Sequence, residues 1–334
     1  MRNYLTTLVL SLSVCGCAAI SAPNGSSTDA PSSVTTATQP DRVTRPTPQP
    51  SSPDSREHTN TISTPNLAST NCNLTQESVF PHVEIGQIPI LRDRLTNAVL
   101  FSSQMQVDTD GAPDAYHPDD IGITHICNGV NVNVGGSWEP NCLTKFNRAK
   151  AEDFQGSTKI DFFAMATGSN GVPIIQGNND PKPGYFVSTS SFKQPGINRN
   201  TPQAQLDSNT IPYIVIPGTW QRSSAPGVKL GDFAVVLRKS TGKISYAVVG
   251  DTGPKSKLGE GSVALHEALG NDPFMMRYGK RRAMKGIGSR DVLYVIFPNS
   301  RKSGEVVTSQ LVDTEGARLL EQFGGKQKLL RCSR

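Results

Sequence analysis

Apolar side chains along this chain come in short bursts separated by turn-forming residues. Seven runs of strand length, rich in β-branched and aromatic residues, are bounded by Gly, Pro, Asn or Asp: IDFFAMA (160–166), GVPIIQ (171–176), GYFVSTSSF (184–192), IPYIVIP (211–217), DFAVVLR (232–238), ISYAVVGD (244–251) and VLYVIFP (292–298). KSTGK (239–243), between two of them, reads as a hairpin turn. Helical periodicity is confined to SVALHEALG (262–270), which Gly270 ends, and DTEGARLLEQFGG (313–325), which a glycine pair ends. Many short strands with few short helices predict a mainly β domain. A closed or nearly closed barrel fits that pattern better than a βαβ sheet.

Before residue 72 the pattern changes twice. A basic start at Arg2 is followed by an apolar run, Tyr4 to Val14, that is too short to span a bilayer. This reads as a signal peptide over residues 1–17. VCGC at its end has the form of a lipobox, with Gly16 before a lipidated Cys17; Cys15, after the bulkier Val14, fits less well. Ala18, next after Cys17, is not an Asp that would hold the product at an inner membrane. The expectation is an exported chain, either anchored through Cys17 to a bacterial outer membrane or secreted. Residues 18–71 then carry Ser, Thr and Pro in bulk and almost no aliphatics. Too little apolar surface is available there to offset ordering entropy, so a disordered tether is predicted. The folded domain is expected over 72–334.

That domain holds Cys72, Cys127, Cys142 and Cys332. An even count in an exported chain predicts two disulfides, and four cysteines allow three pairings. Joining Cys127 to Cys142 would staple a Gly/Asn-rich loop, a closure worth about 3 kcal/mol. Cys72 with Cys332 would then tie the ends of the domain. Without CxxC or HxxxH spacing, no metal site is predicted. The whole chain of 334 residues has 33 Lys+Arg against 28 Asp+Glu, a net charge of +5, too small an excess to demand a nucleic acid.

Familiar catalytic signatures are missing: no GxSxG, no GxxxxGK[ST], no GxGxxG between strand and helix. With the cysteines read as disulfides and His117, His125 and His266 scattered, carboxylates remain. YAVVGDTGPKSKLGEGSVALHEALG (246–270) is the informative stretch. Asp251 ends a strand in a Gly-framed loop, and Glu260 follows between two glycines just before a helix. Two acids held apart by such a wall are what glycosidic hydrolysis requires, one to protonate the leaving oxygen and one to activate water. The plainer roles are a turn-forming Asp251 and a Glu260 that only favours the helix N-terminus.

GDTGPKSKLGEGSVAL resembles the signature of the glycoside hydrolase family 75 chitosanases, in which the acids of a G-D-[ST] turn and a G-E-[AG]-S motif form the essential pair. Further blocks agree in order: MQVDTDGAPDAYHPDD (105–120), PGYFVSTSSF (183–192), IPYIVIPG (211–218) and GDFAVV (231–236). The resemblance implies an endo-acting, inverting chitosan hydrolase that needs no cofactor. It implies a six-stranded, double-psi-like β-barrel with extra strands and loops, and it carries the catalytic pair onto Asp251 and Glu260. Asp251 as base and Glu260 as acid is the expected split, although a helix N-terminus at Glu260 would lower its pKa, the wrong direction for an acid.

Asp108, Asp110, Asp114, Asp119 and Asp120 fall within thirteen residues that contain no Lys or Arg. Such a cluster suits a cationic sugar, with Asp108 and Asp110 expected in the cleft and Tyr116, His117 and Tyr185 as further substrate contacts. Basic residues gather elsewhere, at Arg277, Lys280, Arg281, Arg282 and Lys285 and again near the C-terminus. Acid and base are thus expected on two faces of opposite sign. Three functions follow: a monomeric chitosanase, a peptidoglycan-directed glycan hydrolase on a related barrel, or a polysaccharide-binding lipoprotein without catalysis.

Overall fold

The structure, a computed structural model, describes residues 72–131 and 141–333. The signal peptide, Cys17 and the tether lie outside the described residues. The elements in chain order are β1 (Leu74–His82), β2 (Gly86–Asp93), β3 (Val99–Asp108), β4 (Val130–Asn131), α1 (Cys142–Ala151), β5 (Asp161–Phe162), β6 (Tyr213–Pro217), β7 (Phe233–Arg238), β8 (Lys243–Gly253), β9 (Glu260–Ser262), α2 (Val263–Ala268), β10 (Phe274–Arg277), β11 (Lys280–Ala283), β12 (Ile287–Ile296), α3 (Ser309–Phe323) and α4 (Gly325–Cys332).

Six strands close a mixed barrel in the order β3-β12-β7-β8-β6-β9, with β9 returning to β3. The β8–β6 and β9–β3 pairs are parallel and the others antiparallel. Outside the ring, β2 and then β1 extend from β3. Inward residues alternate along each strand: Ile214 and Ile216, Ala234 and Val236, Ala247 and Val249, with Phe101 and Tyr294 stacked at 4.6 Å. Their neighbours Tyr213, Val235, Val248 and Val295 face outward, where Val312, Leu319, Phe323 and Leu329 of α3 and α4 help cover them. Burial on both faces is why β6 and β7 read as unbroken apolar runs. A third cluster, with Ala112, Tyr116, Phe146 and Phe186, packs a loop lobe beside the barrel. Among the described residues no helix is long and apolar enough to cross a membrane.

Four predicted strands (211–217, 232–238, 244–251, 292–298) are barrel strands, and the 239–243 turn joins β7 to β8. The runs at 160–166, 171–176 and 184–192 are corrected: beyond the two residues of β5 they make only isolated bridges, such as Met165 with Ser188. Pro173 lacks a donor for a ladder, and these segments instead fill the loop lobe. Both disulfides pair as expected, Cys72 with Cys332 and Cys127 with Cys142.

The chain ends meet at a second tie. Lys328 Nζ donates to Asp93 Oδ1 at 2.8 Å with both side chains out of solvent, and the ammonium lies 4.4 Å from the Phe323 ring centre. Burial works against the Asp93 charge, but bonds from Lys328 and Thr96 hold its carboxyl below the usual range. Removing one partner leaves a buried, uncompensated charge. Lys328→Met is therefore expected to cost about 3–5 kcal/mol in urea unfolding. The double variant with Asp93→Asn should lose clearly less, and equal losses would contradict the pairing.

Candidate active site

One unpaired residue aims Asp251. Along the parallel β6–β8 pair, Ile214 faces Val249, but Val215 faces Asp251, so Gly250 is left over as a bulge. A bulge shifts the alternation by one. Val249 stays in the barrel interior, and Asp251 comes out on the face of Val215 instead of joining the apolar interior. A side chain at Gly250 would place a Cβ 2.7 Å from the Tyr213 ring, which explains the glycine before the acid.

Glu260 reaches the same face from the other side. In the antiparallel β6–β9 pair it is the partner of Val215, so Val215 lies between the two acids. Two strand spacings separate their backbones, about 9.5 Å. The Glu260 carboxyl leans back across β6, since a Cβ on Gly253 would lie 2.9 Å from its Oε2. β9 itself is wedged against β3, with Gln106 beside Glu260. At Gly259, φ is +112° and a Cβ would come within 2.3 Å of the Gln104 carbonyl oxygen, so no other residue fits before the glutamate. The helix α2 begins only after Ser262, whose side chain caps it. Glu260 is a strand residue, and the concern over a helix N-terminus falls away.

Both acids line a cleft of about 730 Å³ between barrel and loop lobe, together with Asp108, Asp110 and Tyr116. The Tyr116 hydroxyl donates to Asp110 Oδ1 at 2.7 Å, and the Asp110 amide donates to Asp108 Oδ1 at 2.9 Å. Asp251 is 5 % exposed. Its Oδ1 accepts from the Ser191 hydroxyl, from the Ser191 amide at 3.0 Å and from the Thr252 amide at 2.6 Å, while its buried Oδ2 has no hydrogen-bond partner among the described residues. One oxygen each of Asp108, Asp110 and Asp251 lie within 4.8 Å of one another. Three hard oxygens at that spacing could take a divalent cation or an ammonium group.

Crowding and burial set the protonation. Burial first, then Asp110, Asp251 and Glu260, push the Asp108 carboxyl well above its ordinary value. Burial and the nearby Asp251 do the same to Asp110. Glu260 is raised by burial, opposed by Lys257 and reinforced by Asp251. Asp251 is raised by burial, against which the Ser191 and Thr252 bonds and the Lys193 charge all act.

The remaining expected contacts lie elsewhere. His117 and Tyr185 do not line the cleft; their rings pack edge-on at 4.7 Å. His266 is fully buried, bonded to the Gln106 carbonyl and Asn271, and burial lowers it to about 4, a structural neutral imidazole. The two-faced charge pattern is corrected as well. Asp120 is buried against Arg282 at 2.7 Å and Lys280 at 3.2 Å, and Asp119 pairs with Lys150 at 2.7 Å. Part of the basic run thus neutralises the far end of the acidic one. Ser191, Thr252 and Lys257 line the cleft without having been singled out in the sequence. Ser191 lies in GYFVSTSSF, within a block that carries the family resemblance, but nothing in its local pattern marks it as a partner of Asp251.

The chain matches the family described as "Fungal chitosanase of glycosyl hydrolase group 75" over residues 127–325, more than half of its length. Asp251 and Glu260 fall inside the matched stretch, whereas Asp108 and Asp110 precede it. No curated protein matches the chain.

Raised carboxyls carry a sign that can be measured. Asp108 binds its proton more tightly folded than unfolded, so its charge opposes folding once pH exceeds the unfolded value near 4, and increasingly so toward neutrality. Asp108→Asn should raise the urea midpoint at pH 7 and leave it unchanged near pH 3. A lower midpoint at pH 7 would contradict the crowding.

Proposed function

The chain belongs to the group 75 chitosanase family of glycosyl hydrolases, and from that footing we propose that it cleaves β-1,4 bonds within chitosan chains by inversion, with Glu260 as acid and Asp251 as base. Membership makes it a glycosidase of chitosan; the mechanism and the residues are our reading. The observation that carries it is the placement of Asp251 and Glu260 on either side of Val215 in one cleft. An inverting pair needs roughly 6.5–9.5 Å between carboxyls, room for a water on the face opposite the leaving group. A backbone separation near 9.5 Å, shortened by the lean of Glu260, is compatible with that span.

The two environments favour different roles. Among the described residues Glu260 receives no hydrogen bond that would favour its anion, and burial supports the protonated form that can give a proton to the glycosidic oxygen. Asp251 has three donors on Oδ1 and the Lys193 charge nearby, which favour the carboxylate. Its unpartnered Oδ2 is then free to take a proton from the attacking water. That water's oxygen bonds to the anomeric carbon as the bond to the leaving oxygen breaks. Asp108 and Asp110 are suited to hold the ammonium group of a glucosamine unit beside the pair. Tyr116 positions Asp110.

Two disulfides suit an oxidising, extracellular setting. Lipidation at Cys17 and a monomeric state belong to the same proposal. A basic surface at 277–285 would favour an anionic cell-wall polymer such as peptidoglycan, but Lys280 and Arg282 there are engaged by Asp120.

New reducing ends from soluble chitosan, assayed beside purified peptidoglycan, test the reading. Glu260→Gln and Asp251→Asn should each lower kcat about 100- to 10,000-fold on chitosan with little change in binding. The first product anomer, followed by NMR, should be inverted. Full activity in either variant would remove that residue from the chemistry, and release from peptidoglycan alone would replace the substrate.

A further inference from the structure

Ser191 borders two cavities. One is the acidic cleft; the other, of about 270 Å³, carries Lys193, Arg199, Arg301 and Lys302 on its walls, with Glu305 as its sole acid. Four cationic side chains against one anionic side chain give this cavity a positive field that favours an anion.

Their internal partners are few. Lys302 has Glu315 at 3.3 Å. Among the described residues the Lys193 ammonium donates only to neutral oxygens, the Ser190 carbonyl and Gln205 Oε1. Among the described residues Arg199 and Arg301 make no salt bridge. Burial lowers Lys193 to about 8, with Asp251 opposing and Arg199 adding to the effect, so Arg199 is close enough to be felt as a like charge. Ser303 supplies a hydroxyl at the same wall. Two guanidinium groups with no ion pair among the described residues, each able to present paired N–H donors, match the oxygens of a tetrahedral oxyanion.

We propose that this second cavity binds an oxyanion, a phosphate or sulfate group held by Arg199 and Arg301, with Lys193 at its inner end and Lys302 at its rim. The site is separate from the cleft: it shares Ser191 with it but uses none of the four acids. It does not depend on which glycan is hydrolysed. The group can arrive as a free ion or as part of a phosphodiester polymer, and both present the same charged oxygens.

Calorimetric titration of the full chain with inorganic phosphate at low ionic strength tests the proposal, with sodium chloride at matched ionic strength as control. One saturable site is expected. Arg199→Ala and Arg301→Ala should each weaken it at least tenfold with melting temperature unchanged, and Arg301→Ala should leave chitosan hydrolysis in phosphate-free buffer unchanged. Both residues are exposed, so loss of folding is not expected to obscure the result. A glycerol-phosphate oligomer provides the second arm: binding more than tenfold tighter than phosphate assigns the group to a polymer, and equal or weaker binding assigns it to the free ion. Heats that fail to saturate, heats that chloride reproduces, or an affinity unchanged in the double variant would overturn the site. Because the readout is binding, its failure would leave the assignment of Glu260 and Asp251 untouched.

Discussion

A six-stranded ring with both faces covered has no tolerance for a missing strand, and the last gap is filled by three residues. β9 runs parallel to β3 on one side and antiparallel to β6 on the other, so it must satisfy two ladders within the span Glu260–Ser262. Nothing larger than glycine fits at 259, and a Cβ at 261 would sit 2.9 Å from the Leu265 side chain. The first residue of that wedge is the glutamate, held between Gly259 and Gly261. Closure of the barrel and delivery of the acid are thus one event, and Ser262 extends it by capping α2 and bonding to the Tyr213 amide. The Gly250 bulge, two strands away, answers it by bringing Asp251 to the same face.

Sequence reading recovers what double-sided burial writes into a strand. β6, β7, β8 and β12 are visible because both alternations are apolar. β1 and β2 were not seen, since β1 shows mostly exposed polar side chains and β2 carries Pro89 at its centre. β3 mixes Ser and Gln with its apolar inward residues: Ser103 donates to the Leu258 carbonyl, Gln104 and Gln106 donate to Glu84, and the end of the strand lines the cleft. α1 begins at a disulfide cysteine and buries only Cys142, Phe146 and Ala149, too few apolar positions for its period to stand out in the sequence. The acids Asp251 and Glu260 were legible as a Gly-framed pair, whereas their supports were not. Ser191 lies 60 residues from Asp251 along the chain, and only the fold joins them.

Net charge proved a poor guide to electrostatics here. The cleft gathers four carboxyls that burial forces toward the neutral form, while Lys193 stands behind them at reduced basicity. Desolvation therefore shapes both sides of the Asp251 environment. Nearby, Arg282 lies buried and donates to Asp120, to the Gly122 and Thr124 carbonyls and so pins the loop that follows the acidic cluster. The same residue type serves as a structural pin in one place and a free cation in another, and only the surroundings distinguish them.

The meeting of the chain ends has a mechanical side. Cys72 precedes β1 by two residues and is bonded to Cys332 at the end of α4, with Lys328 of that helix gripping Asp93 at the end of β2. A pull exerted on the chain ahead of Cys72 is handed across a covalent bond to α4 before it can act on the β1–β2 ladder. The outermost strands are the part of the sheet most easily peeled, and they are shielded from that load. The domain can be held by its leading end, or tugged there, without the strain reaching the wall that carries Asp251 and Glu260.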